Sequence, residues 1–342
     1  MKRSANLIQE LGRDKRINVL RRAVQGAFAL FCLYAGYRFH QYYLWASSQS
    51  DTYVPRPPSV EAFLPISALV NLKRLVLTGQ FDTIHPAGLT IFMAALFIGL
   101  ALRKGFCGWI CPVGFASNLA EGFSRRFKLL FTAPAWVNYP LLTLKYLLLL
   151  FFSYLILVKM DIASIESFNR STYNLVVDAK MLFFFLAPST LSLWVLVFLV
   201  VISFFLRNFW CRYLCPYGAL LGVLALCSPL KIRREEKNCI HCKKCDRICP
   251  GAITVSDKKI VRTPECIGCG ECVSVCPAKD CLTLSAPGRK RLPLVSLPAA
   301  VVTVFLLFYG WAVITGHWHS EISPEVMKQV YTSTPLNELA HP

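Results

Sequence analysis

The sequence predicts an α-helical integral membrane protein with about five transmembrane helices, a pseudo-repeat of two helical hairpins, and a small α+β domain inserted before the fifth helix. Three observations support this prediction. The composition is 55% apolar with a mean hydropathy of +0.48, long apolar stretches occur five times, and one cysteine-containing phrase occurs twice at an offset of 104 residues. An ordinary soluble domain is less apolar. We therefore expect this chain of 342 residues to lie in a membrane.

The apolar stretches approach the roughly 20 residues that a helix needs to cross a bilayer. They lie near residues 23–45, 86–102, 139–158, 187–206 and 294–314. The first follows a polar segment and has no small-residue cleavage site, so we expect an anchor rather than a removed signal peptide. The predicted domains are a basic N-terminal segment at 1–22, a four-helix membrane domain at 23–230, a cysteine-rich domain at 231–290, a fifth helix at 291–314 and a tail at 315–342.

The basic residues alternate from one connecting segment to the next. Residues 1–22, 103–138 and 207–293 contain 7, 5 and 16 lysines and arginines, whereas 46–85, 159–186 and 315–342 contain 3, 3 and 1. Because basic loops stay on the cytoplasmic side, this alternation predicts a multi-pass protein of the bacterial cytoplasmic (inner) membrane. The N-terminus and the cysteine-rich domain are expected in the cytoplasm and the C-terminal tail in the periplasm. The net charge of +18 then reflects membrane orientation, and a nucleic-acid partner is not expected.

Eight cysteines between residues 239 and 276 form two runs of the spacing C-x2-C-x2-C-x3-C-P. This spacing binds 4Fe–4S clusters in bacterial ferredoxins, where the fourth cysteine of each run ligates the other cluster. The predicted ligand sets are Cys239, Cys242, Cys245 and Cys276 for cluster one, and Cys266, Cys269, Cys272 and Cys249 for cluster two. Structural zinc would leave a cysteine of each run unexplained, and disulfides need an oxidising compartment. The apolar residues 252–255 and 282–284 are expected to form small strands beside the clusters.

The repeated phrase is C-x3-C-P-x-G, and it lies where predicted spans two and four end. Its cysteines are Cys107, Cys111, Cys211 and Cys215. Cysteines at i and i+4 of a helix share one face, so each pair is expected to present two thiols toward one centre. Four converging thiols suit a further metal centre or two redox-active dithiol pairs, and the sequence leaves both interpretations open.

These elements in this order resemble the NapH-type family of membrane iron–sulfur (polyferredoxin) proteins, whose C-x3-C-P motifs are shared with the membrane halves of NosR and of CcoG, also called RdxA or FixG. The resemblance covers about residues 15–285. The matching residues are the eight ferredoxin-type cysteines, Cys107, Cys111, Pro112, Cys211, Cys215, Pro216 and Gly218. The predicted fifth span and periplasmic tail depart from NapH, so we expect a related protein that serves a different partner.

The resemblance implies electron transfer between the quinone pool and another redox protein such as a ferredoxin-like protein, a cytochrome or a terminal reductase. It also makes a quinol dehydrogenase role a hypothesis for this chain. Arg38, His40 and His85 are candidates for a quinone site because they lie near the predicted outer ends of spans, where imidazole can accept the protons of quinol. Alternatively, Arg38 reaches the membrane interface and His85 only precedes a helix. His317, His319 and His341 are weaker candidates for the same site.

A second hypothesis assigns the chain to assembly rather than respiration. In a CcoG- or NosR-like factor, the C-x3-C-P thiols would reduce a metal ion for a respiratory metalloenzyme, and the ferredoxin clusters would recharge them. The sequence has only five methionines and no predicted periplasmic cluster of Met or Cys to receive a soft metal, which disfavours this hypothesis. A membrane scaffold with inert clusters is the third alternative.

Overall fold

The computed structural model describes residues 2–131 and 133–333 of the chain. The described part is mostly helical. Its α-helices are α1 Lys2–Ala46, α2 Pro65–Thr78, α3 Pro86–Ala101, α4 Gly105–Trp109, α5 Pro112–Arg126, α6 Ala135–Ser153, α7 Ile162–Arg170, α8 Thr172–Leu186, α9 Thr190–Phe205, α10 Pro216–Leu224, α11 Lys244–Ile248, α12 Glu271–Ser274, α13 Ser296–Ile314 and α14 Pro324–Ser333. Its strands are β1 Lys231–Arg234, β2 Ile260–Val261, β3 Leu282–Ser285 and β4 Arg291–Leu292.

Two helices in the described part are long and apolar enough to cross a membrane. They are Trp136–Lys159 and Ser296–Ile314, which match the predicted third and fifth spans. A third candidate is the pair formed by α8 and α9, which is bent by 69° at its break and contains the predicted fourth span. The protein is therefore a membrane protein with two to three candidate spans by length and composition.

The other two predicted spans correspond to helices of a different character. Residues 86–102 form the apolar helix α3, which has 16 residues and is short for a bilayer on its own. Residues 23–45 lie inside the 45-residue helix α1, which begins well before the predicted boundary. Polar residues such as Gln25, Arg38 and His40 lower the hydropathy of α1, so α1 is not among the helices that qualify as candidate spans.

The chain forms two compact units. The first comprises Met1–Ala29, Ala95–Leu149 and Leu199–Val304, and the second comprises Leu30–Ala94, Leu150–Phe198 and Phe305–Pro342. Five helices contribute residues to both units, namely α1, α3, α6, α9 and α13. All twelve cysteines of the motifs belong to unit one.

The cysteine-rich domain in unit one contains a small antiparallel sheet in the order β2-β1-β3-β4. Ile232 in β1 pairs with Val261 on one side and Leu284 on the other, and all three side chains are buried. The prediction of a strand at 282–284 is confirmed, since β3 covers it. The prediction of a strand at 252–255 is wrong. Ala252 has a φ of 47°, a left-handed conformation that a strand cannot contain, and a short 3-10 helix begins at Val255.

Both C-x3-C-P motifs break the helix between their cysteines. Cys107 lies in α4, whereas Cys111 precedes α5, whose first residue is Pro112. Cys211 lies in a short π-helical turn, Trp210–Leu214, and Cys215 precedes α10. Proline is well suited to the first position of a helix because it has no N–H to satisfy. The expectation of one continuous helical face for each pair is therefore wrong.

Candidate iron–sulfur sites and a buried charged cluster

Two pockets in unit one are lined by the ferredoxin-type cysteines. The first encloses about 350 Å³, including space open to solvent, and its cysteines are Cys239, Cys242, Cys245, Cys276 and Cys281. The second encloses about 390 Å³ on the same measure, and its cysteines are Cys249, Cys266, Cys269 and Cys272. The fourth cysteine of each run therefore lines the pocket of the other run. Cys281, to which the sequence assigned no ligand role, adds a fifth thiol to the first pocket.

The donor set of each pocket fits a 4Fe–4S cluster. Four thiols line the second pocket and five line the first, and thiolates are the ligands that such a cluster requires. Buried Ile253, Val255 and Val261 form an apolar part of the wall of the second pocket. Among the described residues, no three Cys, His, Asp or Glu side chains come close enough together to hold a single metal ion. Thiols that line a volume of this size suit a multi-iron cluster better than a single zinc ion.

The two loops that carry the first three cysteines of each run share a backbone conformation. We refer to residues 239–245 as the first loop and residues 266–272 as the second loop. In the first loop His241 and Lys243 have φ values of 52° and 55°, and in the second loop Gly268 and Gly270, 27 residues further on, have 64° and 76°. These are left-handed conformations, which glycine adopts readily and other residues adopt at a cost. The two loops therefore share the cysteine spacing and the left-handed positions of the backbone, but different residues occupy those positions.

The second loop is anchored inside unit one. The Nη1 of Arg21 donates to Oε1 of Glu271 at 2.6 Å, and both side chains are largely buried. The indole Nε1 of Trp109 donates to the carbonyl of Gly268 at 3.2 Å. A Cβ on Gly268 would lie 3.3 Å from Cδ2 of Leu297, so the neighbouring helix leaves little room for a side chain there.

The residue before the second loop makes a further anchor. Lys145 in α6 donates to both carboxylate oxygens of Glu265, at 2.6 and 2.7 Å, and the Lys145 side chain is fully buried. The hydroxyl of Tyr146 donates to Oε1 of the same carboxylate at 3.2 Å. No local pattern predicts this contact, because Lys145 and Glu265 lie 120 residues apart in the sequence.

The four C-x3-C-P cysteines lie close enough to influence one another electrostatically. The Cys107 thiol interacts with those of Cys211 and Cys215, and the Cys111 thiol interacts with all three. Burial raises the pKa of Cys107 to about 12 and that of Cys211 to about 11, while the nearby ammonium of Lys104 acts in the opposite direction. Without a metal, burial therefore favours the protonated form of the Cys107 and Cys211 thiols. Metal binding would release their protons.

Local hydrogen bonds position two of these sulfurs. The backbone N–H of Gly218 donates to Sγ of Cys215 at 3.2 Å, and the Ser117 hydroxyl lies 3.6 Å from Sγ of Cys211. The glycine of the motif also lies beside a buried cation, Lys104. A Cβ on Gly218 would lie 3.5 Å from both Sγ of Cys215 and Nζ of Lys104. The arrangement places a positive charge where thiolates would carry negative charge.

Unit two contains a buried charged cluster around Arg56. Its guanidinium bridges Oε1 of Glu61 at 2.8 Å and Oδ2 of Asp178 at 2.7 Å, and both carboxylates are almost fully buried. The hydroxyl of Tyr331 donates to the other oxygen of Asp178 at 3.1 Å. We call Arg56, Glu61, Asp82, His85 and Asp178 the Arg56 cluster.

His85, one of the predicted quinone-site residues, lies within this cluster. Its Nε2 donates to the carbonyl of Asn174 at 2.7 Å, so its Nδ1 accepts from Arg56 at 3.2 Å when the ring is neutral. Nδ1 also lies 3.7 Å from Oε1 of Glu61. Burial lowers the pKa of His85, but the hydrogen bond and charge of Glu61 outweigh burial and raise it overall. Burial also raises the pKa of Asp82, which accepts from the His85 backbone N–H at 3.1 Å.

The other predicted quinone-site residues are not brought to His85 by any hydrogen bond or ion pair among the described residues. Arg38 and His40 are half-buried on α1, two positions apart and hence on different faces of the helix. His317 stacks on the Trp311 ring, with 5.5 Å between centroids, and lies 4.2 Å from the Phe81 ring. His341 lies outside the described residues. No local pattern predicted the acidic neighbours of His85, because Glu61 and Asp178 lie on other segments of the chain.

Comparisons with known proteins identify the family. A family model described as a 4Fe-4S binding domain matches residues 84–129 and 186–235, and one described as a 4Fe-4S dicluster domain matches residues 233–284. NapH of Escherichia coli K12, a ferredoxin-type protein, is 27% identical over 241 residues, which cover 70% of this chain and 76% of NapH. NosR of Stutzerimonas stutzeri, a regulatory protein, is 34% identical over 169 residues, which cover 47% of this chain and 22% of NosR.

YccM of Escherichia coli K12, a protein assigned to electron transport, is 39% identical over 303 residues, which cover 86% of this chain and 84% of YccM. The chain belongs to the NapH-type family of membrane iron–sulfur proteins. The resemblance predicted from the motifs is therefore confirmed, and so are 4Fe–4S binding and a role in iron–sulfur electron transfer. No solved structure matches this chain.

Proposed function

We propose that this protein transfers electrons between the quinol pool and a redox partner through two 4Fe–4S clusters held in the two cysteine-lined pockets. Cluster one is held by Cys239, Cys242, Cys245 and Cys276, and cluster two by Cys266, Cys269, Cys272 and Cys249. The observation that supports the proposal best is the lining of each pocket by one complete set of four cysteines. When bound, such clusters accept and release single electrons. The protein's own residues give the second pocket an apolar wall and hold its loop in place through Arg21 and Lys145.

We propose that the C-x3-C-P cysteines hold a further iron–sulfur cluster. The family model described as a 4Fe-4S binding domain covers both motifs, in residues 84–129 and 186–235, and stops before the ferredoxin-type cysteines. The buried ammonium of Lys104 would offset part of the negative charge of four thiolates. This assignment favours the metal centre over the dithiol interpretation.

The membrane topology that fits this function has five spans, with the cysteine-rich domain in the cytoplasm and the C-terminus in the periplasm of a bacterial inner membrane. The distribution of lysine and arginine supports this orientation. Each predicted span overlaps a helix that contributes residues to both compact units. Under this proposal α1 and α3 cross the bilayer together with α6, α9 and α13, and two helical hairpins form the pseudo-repeat.

Proton handling is assigned to the Arg56 cluster. Oxidation of a quinol to a quinone releases two electrons and two protons, and the protons need an acceptor. Neutral His85 is such an acceptor at Nδ1, which would exchange its hydrogen bond from Arg56 for one to Glu61. The gained charge is favourable there, because Glu61 and Asp178 carry two negative charges against the one positive charge of Arg56. Arg38 and His40 remain candidates for contact with the quinone itself.

The test uses the purified full-length protein, watched by EPR while a menaquinol or ubiquinol analogue is added anaerobically. We expect quinol to reduce the clusters, and iron analysis to give about twelve irons per chain, four for each of three clusters. About eight irons would contradict the third cluster. The quinone assignment would be overturned if the quinol did not reduce the oxidised clusters and the corresponding quinone did not reoxidise the reduced ones. His85→Gln should slow quinol-driven reduction by about 100-fold, while reduction by dithionite stays unchanged.

A further inference from the structure

The first loop presents basic and apolar side chains to solvent beside the first pocket. Ile240 is 64% exposed, and His241, Lys243 and Lys244 are exposed as well. All four residues line the first pocket together with its cysteines. A group held in that pocket therefore lies directly behind this surface.

The backbone shows that these side chains are retained at a cost. His241 and Lys243 occupy left-handed conformations in which the second loop has glycines. A glycine at either position would relieve this cost, since nothing in the backbone requires a side chain there. Non-glycine residues in such conformations are concentrated at functional sites. The two side chains therefore have a role that the second loop does not need.

The charges around the loop are predominantly positive. Lys237, Lys243, Lys244 and Arg247 are exposed. The carboxylate of Asp246 is turned inward, where it accepts from the backbone N–H and the hydroxyl of Ser256. The exposed acidic neighbours are Glu235, Glu236, Asp257 and Asp280. Glu236 is engaged by Arg234 and Lys259, and Asp280 by Arg291. The surface thus has an apolar centre at Ile240 and a basic surround.

We propose that this surface docks a small acidic electron-carrier protein, which exchanges one electron with cluster one. The inference rests on the proposed function, because it requires a cluster in the first pocket. In the exchange the reduced carrier loses one electron, the cluster gains that electron, and no atoms are transferred. An apolar centre with a charged rim is typical of protein–protein interfaces, and opposite charge on the partner would accelerate encounter. The alternative partner is an anionic membrane surface. Binding to lipid headgroups would not require an exposed apolar residue such as Ile240 beside the pocket.

The experiment measures how fast fully reduced flavodoxin, an acidic one-electron carrier, reduces the oxidised full-length protein in stopped flow at low ionic strength. The test variant is Lys243→Glu/Lys244→Glu. The matched control is Arg262→Glu/Lys290→Glu, which changes the net charge equally at exposed residues that line neither cysteine pocket. We expect the second-order rate constant to fall about tenfold or more in the test variant and to change less than about twofold in the control. The rate of the wild type should fall with added salt, whereas that of the test variant should not.

A second variant excludes a folding artefact. Lys243→Gly suits the left-handed conformation and should fold with full iron content, yet it should slow reduction by flavodoxin about threefold. Equal rates in the test and control variants would overturn the proposal. The proposal would also fail if the rate depended on Lys243 and Lys244 only in nanodiscs of anionic lipid, since the surface would then meet the membrane.

The failure of the docking proposal can be separated from that of the proposed function. Methyl viologen radical, a small cation, should reduce all variants equally, which checks that the clusters are present. If quinol does not reduce the wild type but flavodoxin reduction depends on Lys243 and Lys244, the docking surface stands without the quinone assignment. If quinol reduces every variant and flavodoxin shows no dependence, the docking surface alone is wrong.

Discussion

The first and second loops of the cysteine-rich domain share a backbone conformation but differ in their surroundings. Gly268 and Gly270 of the second loop take up the left-handed positions without strain, beneath Leu297 and against Trp109. His241 and Lys243 take up the same positions in the first loop and are exposed. The spacing of the cysteines thus sets the backbone, whereas the surroundings decide which side chains it carries. The buried loop is built for fixed placement and the exposed loop for contact with a partner.

The largest expected effect tests whether the two runs exchange their fourth cysteines. Cys249→Ser should lower the iron content by about four per chain, and adding Cys266→Ser should remove no more, because both cysteines line the second pocket. Adding Cys245→Ser instead should remove about eight, because Cys245 lines the first pocket. Iron and acid-labile sulfide analysis of the variants measures this. The reverse result, with about eight irons lost in the Cys249→Ser/Cys266→Ser variant and about four in the Cys249→Ser/Cys245→Ser variant, would contradict the crossed assignment.

The next effect sharpens the contrast between the buried and the exposed loop. Arg21→Gln leaves the largely buried carboxylate of Glu271 without its partner and should destabilise the second loop by about 3 kcal/mol. The double variant Arg21→Gln/Glu271→Gln should recover most of this loss. Lys244 occupies the position in the exposed first loop that Glu271 occupies in the second loop. Lys244→Gln should change the free energy of unfolding by less than about 0.5 kcal/mol. Thermal loss of cluster absorbance in detergent measures all three, and a large effect at Lys244 would remove the contrast.

The smallest expected effect compares Gly268→Ala in the second loop with His241→Gly in the first loop. The first substitution should lower stability, whereas the second should not. Gly268→Ala forces a Cβ into a left-handed conformation 3.3 Å from Leu297 and should lower stability by about 1–2 kcal/mol. His241→Gly relieves the same strain and should leave stability unchanged or raise it by up to about 1 kcal/mol. The same thermal measurement checks the pair. A destabilised His241→Gly variant would show that the histidine makes a structural contact in the protein.

Much of the iron–sulfur chemistry could be read from the sequence, because ligand spacing is a local property. The spacing of the two runs predicted 4Fe–4S binding, and the order of motifs predicted the family, and both are confirmed. The apolar stretches at 139–158 and 294–314 also predicted the two clearest candidate spans. The local apolar pattern failed to predict secondary structure at residues 252–255. The left-handed conformation of Ala252 excludes the strand that was expected there.

The sequence by itself determined the 4Fe–4S-binding character of the chain, its membrane character and its family. Only the tertiary structure decided which charges meet. Arg21 reaches Glu271 across 250 residues of sequence, and Arg56 reaches Asp178 across 122, so no local pattern signals either pair. Only the tertiary structure, too, distinguished a first loop open to solvent from a second loop packed beneath helices. The physical reason is that ligand spacing acts over a few residues, whereas burial and charge pairing depend on every segment that folds against a given site.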